Sequence, residues 1–415
     1  MRRRFPLALL VLFPLVVPSL FGSPAHSAPT DRAIVANSES VFGFTLLRLL
    51  AKDNPDANIV FSPFGIAQSL EVMSVASSGT TRAELLRVLR LPSSVTIARM
   101  VAASRVLRQE LQELGNAENS NAPTVYASNV IVASDKVAYD QRFLDQVDKD
   151  FGQKLLGRDF TRAEVIRRDV NGVIESLTGR RLPTVFPTDS FTESTKLAVG
   201  GALTIEGNWA ERALFQGDPM PFTRLDGSKV TARRLTTGAS GMFLYRLDRP
   251  TYRSVMLPYT GGRLATIVVV PEPGQFAVVQ KTFGAEELSD IVLFSRKQST
   301  TADLPAFYID NKIARLADFL IPMGLPTLFT RGAADLRGKF STRPLAVDVA
   351  VHQSVFRMDT GGTAVDTKPS PPPGGPTSDL VVDRPFLFAV VDRPTGAVVL
   401  LGRVLDPNEQ VPPTR

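Results

Sequence analysis

The side chains able to carry catalytic chemistry are few: two histidines, His26 and His352, and no cysteine in 415 residues. Without a thiol there is no cysteine nucleophile and no thiolate metal site, and one interior histidine is too few for a multi-histidine zinc centre. A Ser-His-Asp triad would have to be built on His352, yet no G-x-S-x-G turn presents a serine. The sequence therefore points away from an enzyme, a bound metal or a cofactor. What remains is a segment that could be acted upon. The stretch GGTAVDTKPSPPPGGPTSDL, residues 361–380, is polar, dense in Gly and Pro, and set between two apolar strand-like segments. Such a composition suits an exposed segment open to proteolysis.

The rest of the chain must hold that segment in place, and its composition, 44% hydrophobic and 21% charged, supplies a large core. The beginning is different. Arg2, Arg3 and Arg4 precede an apolar run from Phe5 to Phe21 and the small residues Gly22-Ser23-Pro24-Ala25, the layout of a secretory signal cleaved after Ala25 or Ala28. Loss of its three arginines lowers the formal charge from +6 to +3. No Lys/Arg stripe is interleaved with aromatics, so no nucleic-acid partner is expected. No later apolar run reaches membrane length. The expectation is a secreted, extracellular protein, free of the membrane once the signal is cut, with a signal peptide (1–25), a short tail (26–33), one domain (34–408) and a C-terminal tail (409–415).

Periodicity places a helix from Ser40 to Asn54-Pro55 with Phe42, Leu46, Leu49 and Leu50 on one face, then a short strand NIVF. Ser62-Pro63 reads as a helix start, with serine as cap and proline at the first helical position. Thr81-Arg82-Ala83-Glu84 reads as a capping box. Strand patterns dominate later, at 253–259, 264–273, 343–359, 386–391 and 397–405. The segment around His352 is apolar on both faces, as in a central strand covered from both sides. Helices first and mixed strands later predict an α+β domain.

These pieces, in this order, resemble the serpin (serine protease inhibitor) family. The resemblance is carried by NIVFSPFGIAQSL with SSGTTRAEL, by VNGVIESLTGRRL, GALTIEGNWAERALF and SVMLPYTGG, and by LVVDRPFLFAVVDRPTGAVVLLGRVLDP at residues 380–407. VHQSVFRMDTGGT resembles the segment that enters the family's reactive-centre loop. The resemblance implies a single domain with helices packed on a large central mixed sheet, plus two smaller sheets. It makes residues 360–384 the exposed reactive-centre loop. In the family a protease cuts this loop, becomes esterified to it and is carried away as the loop inserts into the central sheet.

By that resemblance the loop hinge is Thr360, Gly361, Gly362, Thr363, Ala364 and Val365. The scissile region is Gly374, Gly375, Pro376 and Thr377, with Leu380 as a later candidate. His352 and Ser62 take the places of a shutter, where the family's sheet must part, and Trp209 that of the breach at the sheet's top. The chain departs from the family pattern at several places. Thr360 stands where inhibitors prefer an acidic residue, a run of small residues is missing at 365–368, and Gly201 and Gly65 replace a shutter asparagine and serine. No arginine lies between Thr360 and Asp383, which disfavours a trypsin-like target. Pro369, Pro371, Pro372 and Pro373 lack ladder donors. Two readings stand side by side: a secreted inhibitor of a serine-type endopeptidase, and a non-inhibitory serpin-fold binding or carrier protein. A monomer is expected, with loop-sheet polymers as its hazard. The basic run at 162–169 reads as a solvated helix face.

Overall fold

The computed structural model describes residues 30–116, 122–210, 214–237, 242–337, 339–361 and 378–410. In chain order, α1 (Asp31–Asp53) leads to β1 (Ile59–Phe61), α2 (Pro63–Ala76), α3 (Gly79–Val88) and α4 (Ile97–Glu113). Next come β2 (Thr124–Ser134), α5 (Gln141–Phe151), β3 (Lys154–Arg158), α6 (Ala163–Leu177) and β4 (Leu197–Glu206). Strands then dominate: β5 (Phe215–Gln216), β6 (Met220–Thr223), β7 (Lys229–Ala232), β8 (Arg234–Thr236), β9 (Met242–Arg246), β10 (Tyr252–Pro258) and β11 (Leu264–Pro271). After α7 (Phe276–Thr282) and α8 (Ala285–Phe294) follow β12 (Arg296–Thr300), β13 (Ala302–Pro305), β14 (Phe307–Ile313) and the short α9 (Ala317–Leu320). The chain closes with β15 (Val349–Met358), β16 (Leu380–Val381), β17 (Phe386–Asp392) and β18 (Ala397–Val404).

The α+β class is as the sequence reads. A mixed five-stranded sheet runs β14-β15-β4-β2-β3, and an antiparallel seven-stranded sheet runs β1-β18-β17-β11-β10-β9-β12. A four-stranded sheet, β16-β13-β8-β5, and the β6-β7 hairpin complete the strands. The cores lie between these sheets and their helices. α5 shows the local logic: Asp140 accepts from Arg142 N–H at its start, Phe143, Val147 and Phe151 are buried at helical spacing, and Gly152 ends it at φ 59°.

The C-terminal hairpin is built on one close approach. Gly402 faces Val60 of β1 and Phe388 of β17, and a Cβ there would overlap Ile59 O and the Phe388 ring. Beside it Arg403, 1% exposed, donates to the carbonyls of Asn54, Pro55 and Ala57 and to Gln280 Oε1. The guanidinium thereby satisfies carbonyls released at the end of α1. That is the physical content of the Gly-Arg pair in the motif at 380–407.

Three sequence expectations need correction. α1 begins at Asp31 rather than Ser40, because Asp31 pairs with Arg99 and Arg32 with Glu110, tying its first turns to α4. The Thr81–Glu84 capping box is not made. Instead α3 starts at Gly79, Thr81 Oγ1 accepts from Asp335 N–H, and Glu84 accepts from Thr327. β15 begins at Val349, not at 343, since Asp348 turns its carboxylate onto Lys196 N–H and Arg331 at the foot of the sheet. α1 is the one described helix long and apolar enough to cross a membrane, and it packs as a core helix with Phe42, Leu46, Leu47 and Leu50 buried.

Candidate functional site

β15 delivers the chain to the start of the segment at issue, and its end is clamped. Asp359 is fully buried, and its carboxylate receives Arg357 at 2.6 Å, Arg233 at 2.9 Å and Thr360 N–H at 2.7 Å. Burial opposes its ionisation, but the Arg233 and Arg357 guanidiniums beside it hold the carboxyl below the usual range. Its backbone carbonyl accepts from Trp209 Nε1 at 2.9 Å, and the indole stacks on Tyr259 with centroids 4.8 Å apart. Trp209 thus sits at the top of the sheet and touches the strand that feeds the loop. Thr360 is buried and Gly361 lies in a turn. Gly362, Thr363, Ala364 and Val365, which the resemblance implies as hinge, lie outside the described residues, as do the scissile candidates Gly374, Gly375, Pro376 and Thr377.

The chain re-enters the fold just as firmly. Asp379 and Thr301 form a reciprocal staple: Asp379 N–H donates to Thr301 Oγ1 at 2.8 Å, while Asp379 Oδ2 accepts from Thr301 N–H at 2.9 Å. β16 then pairs in parallel with β13. Leu380 is the first residue of that strand and is fully buried. In this state a protease would not reach its side chain.

Below the clamp, β15 and β4 run parallel and in register from Val349↔Ala198 to Val355↔Thr204. Two glycines sit mid-seam in β4. A Cβ on Gly200 would overlap the Phe186 ring, which fills the space above the strand. Asn171 of α6 grips Phe186 through both backbone groups, at 2.9 Å each, so the helix that crosses the sheet also holds the ring over the seam. The basic run on α6 is largely committed: Arg167 pairs with Glu164 and donates to Phe186 O.

His352 lies beside Gly201 in this seam. Its Nε2 accepts from Ser62 N–H at 3.0 Å and contacts Ser354 Oγ at 2.9 Å, while Ser62 Oγ accepts from Gly65 N–H and caps α2. Because Nε2 accepts, the neutral ring carries its proton on Nδ1. Burial pushes the imidazole down to about 3. The structure thus brings His352 and Ser62 into contact, and the apparent loss at Gly201 has a compensation that the sequence does not reveal. Asn129 of β2 is the cross-strand partner of Gly201, and its amide Nδ2 donates to Gly65 O at 3.1 Å. A Cβ on Gly201 would overlap Asn129 Oδ1 and lie 3.2 Å from His352 Nδ1. An asparagine from the next strand therefore occupies the room that Gly201 vacates. A small, largely apolar cavity of about 20 Å³ touches Gly201 and His352. The signal in sequence was an asparagine in the middle of an apolar strand, SNVIVAS.

A substitution tests this exchange. Gly201→Ala is expected to cost about 1–3 kcal/mol through overpacking, and the swap Gly201→Asn with Asn129→Ala should recover most of it. Urea unfolding of the parent, the single variant and the swap checks both, and equal costs in the two variants would refute the shared space.

The family model described as Serpin (serine protease inhibitor) matches residues 37–407. Leukocyte elastase inhibitor A of Rattus norvegicus is 23% identical, covering 90% of this chain and 99% of the relative. A serpin-like protein of Thermococcus kodakarensis is 26% identical, covering 90% and 86%. Among solved structures, human thyroxine-binding globulin in complex with its ligand superposes with a TM-score of 0.79 at 18% identity, covering 91% of this chain and 100% of that one. Uncleaved ovalbumin superposes at 0.75 and 19% identity, covering 90% and 100%.

Proposed function

Since the chain belongs to the serpin family, whose members are protease inhibitors or non-enzymatic carriers rather than enzymes, we propose that it is a secreted inhibitor of a serine-type endopeptidase with residues 362–377 as its bait. The observation that carries this reading is the β4–β15 seam. These two strands are parallel, and β15 runs directly into the bait. A segment that follows β15 and folds back between the two would lie antiparallel to both. One parallel ladder would give way to two antiparallel ladders, the pairing that is more stable per residue. On this reading the paired β4–β15 ladder is where a cut loop would insert, with His352 in the seam and Trp209 and Asp359 near the end of β15.

The candidate bond lies among Gly374, Gly375, Pro376 and Thr377, which are small or rigid residues. Proteases with a small S1 pocket fit it better than those that need arginine or a large aromatic group. The signal at residues 1–25 would place the inhibitor outside the cell as a monomer. One observation favours the carrier reading instead: four prolines at 369 and 371–373 oppose strand formation in the part of the loop that must insert.

Incubation with a panel of elastase-like, subtilisin-like and chymotrypsin-like proteases decides between them. The inhibitor reading expects a covalent, detergent-resistant complex with at least one protease, joined at residues 374–377 as located by mass spectrometry. Cleavage of the loop by every protease that cuts it, with full protease activity retained, would overturn it.

A further inference from the structure

A buried polar cluster joins three helices away from the seam. Glu39 of α1 and Glu71 of α2 are 2% and 1% exposed, and Ser104 of α4 is equally buried beside Glu71. As carboxylates the two glutamates can only accept hydrogen bonds, and no described residue donates to Glu39 Oε1, Glu39 Oε2 or Glu71 Oε2. A proton on either carboxyl turns it into a donor toward the other.

Most arginines on the surrounding elements are engaged elsewhere. Arg32 of α1 and Arg263 hold Glu110 of α4, and Arg99 of α4 holds Asp31 of α1. Arg48 of α1 donates to Lys281 O and Phe283 O, and Arg82 of α3 to Ser74 O. Arg105 of α4 pairs with Asp150 of α5, Arg108 of α4 with Gln112, and Arg403 of β18 with the carbonyls after α1. Glu84 of α3 is taken by Thr327. Burial and then the charge of Glu71 bear on Glu39, whereas burial dominates at Glu71 and is opposed by hydrogen bonding to Ser104 and Glu39.

We infer that Glu39 and Glu71 are a proton-holding clasp between α1 and α2, stable only while protonated, so that rising pH loosens this helical layer. Burial raises both groups, Glu39 well above the ordinary range and Glu71 to about 8. In the unfolded chain both would ionise near 4.5. The clasp's contribution is therefore complete below that pH and is lost as pH rises through about 8 for Glu71. His352 acts in the opposite direction and elsewhere. Its pKa is depressed to about 3 from an ordinary 6.5, so it weakens the fold only as pH falls below 6.5. The interval from neutral pH upward belongs to the carboxyl pair. Because α2 also carries Ser62 and Gly65 in its first turn, its loosening reaches the His352 contact. That last step matters for inhibition only if the inhibitor reading holds, whereas the clasp itself does not depend on it.

Urea unfolding from neutral pH to about one unit above the Glu71 value tests the clasp. In the parent, the folded-to-unfolded ratio should fall about tenfold per pH unit for each proton released on unfolding. In Glu39→Gln with Glu71→Gln it should stay flat and exceed the parent at the alkaline end. A flat parent, or the same slope in the double variant, overturns the inference. Should the double variant fail to fold, infrared difference spectra of the parent decide. A protonated-carboxyl band present at neutral pH and lost on alkalinisation supports the clasp, and its absence at neutral pH overturns it.

Discussion

Cleavage of the chain between residues 374 and 377 is expected to raise its unfolding temperature by about 4 °C or more. Each net ladder hydrogen bond is worth about 1 kcal/mol, and a strand antiparallel to both β4 and β15 would gain two ladders for the one it displaces. The prolines at 369 and 371–373 subtract from this, at roughly 2–4 kcal/mol for the missing donors. Even so, the residues up to Lys368 offer every N–H, and by strand alternation Thr363, Val365 and Thr367 would face inward. At about 1 °C per kcal/mol for a domain of this length, given roughly 2 cal/mol/K of unfolding entropy per residue, a few kcal/mol of surplus gives the stated rise. Replacing Pro371, Pro372 and Pro373 by Ala should enlarge it. The check is scanning calorimetry before and after nicking by any protease that cuts there. An unchanged transition would mean that the cut loop stays outside the sheet, and the carrier reading would stand in place of the inhibitor.

Asp359→Asn should destabilise the intact chain by about 2–3 kcal/mol. Breaking a buried ion pair by neutralising one partner costs about 3–5 kcal/mol. Here Arg233 is 41% exposed, so water recovers part of that loss. Arg357 is only 24% exposed and would be left with little to replace the carboxylate. The same change weakens the acceptor for Thr360 N–H at the start of the loop, and with it the closure of the sheet's top. A second consequence follows: on mild warming the variant should form oligomers sooner than the parent, because an opened β4–β15 seam accepts a neighbour's loop as readily as its own. Urea unfolding and size-exclusion chromatography after warming measure the two effects. A variant within about 0.5 kcal/mol of the parent, the ordinary range for surface changes, would show that the clamp does not hold the sheet.

Much of this protein was determined by local sequence. Alternating apolar runs made β10, β11, β17 and β18 legible, because a strand buried on one or both faces must write its burial into its side chains. Ser62-Pro63 was legible as a helix start because capping is a contact within four residues. The absence of cysteine and the scarcity of histidine settled the lack of thiol and multi-histidine chemistry without any coordinates. The family motifs placed His352, Ser62 and Trp209, and the structure brings the first two into contact at 3.0 Å.

What the sequence could not decide are contacts between residues far apart in the chain, whose energies depend on register. Gly201 read as a loss until the sheet put Asn129 beside it. Thr81 and Glu84 read as a capping box, yet their oxygens serve Asp335 and Thr327, which local spacing cannot foresee. Nothing in the local sequence marks Asp359, and only folding brings Arg233 to it. Nothing in the local sequence singles out Glu39 or Glu71. Tertiary packing buries both, with no described residue donating to Glu39 Oε1, Glu39 Oε2 or Glu71 Oε2.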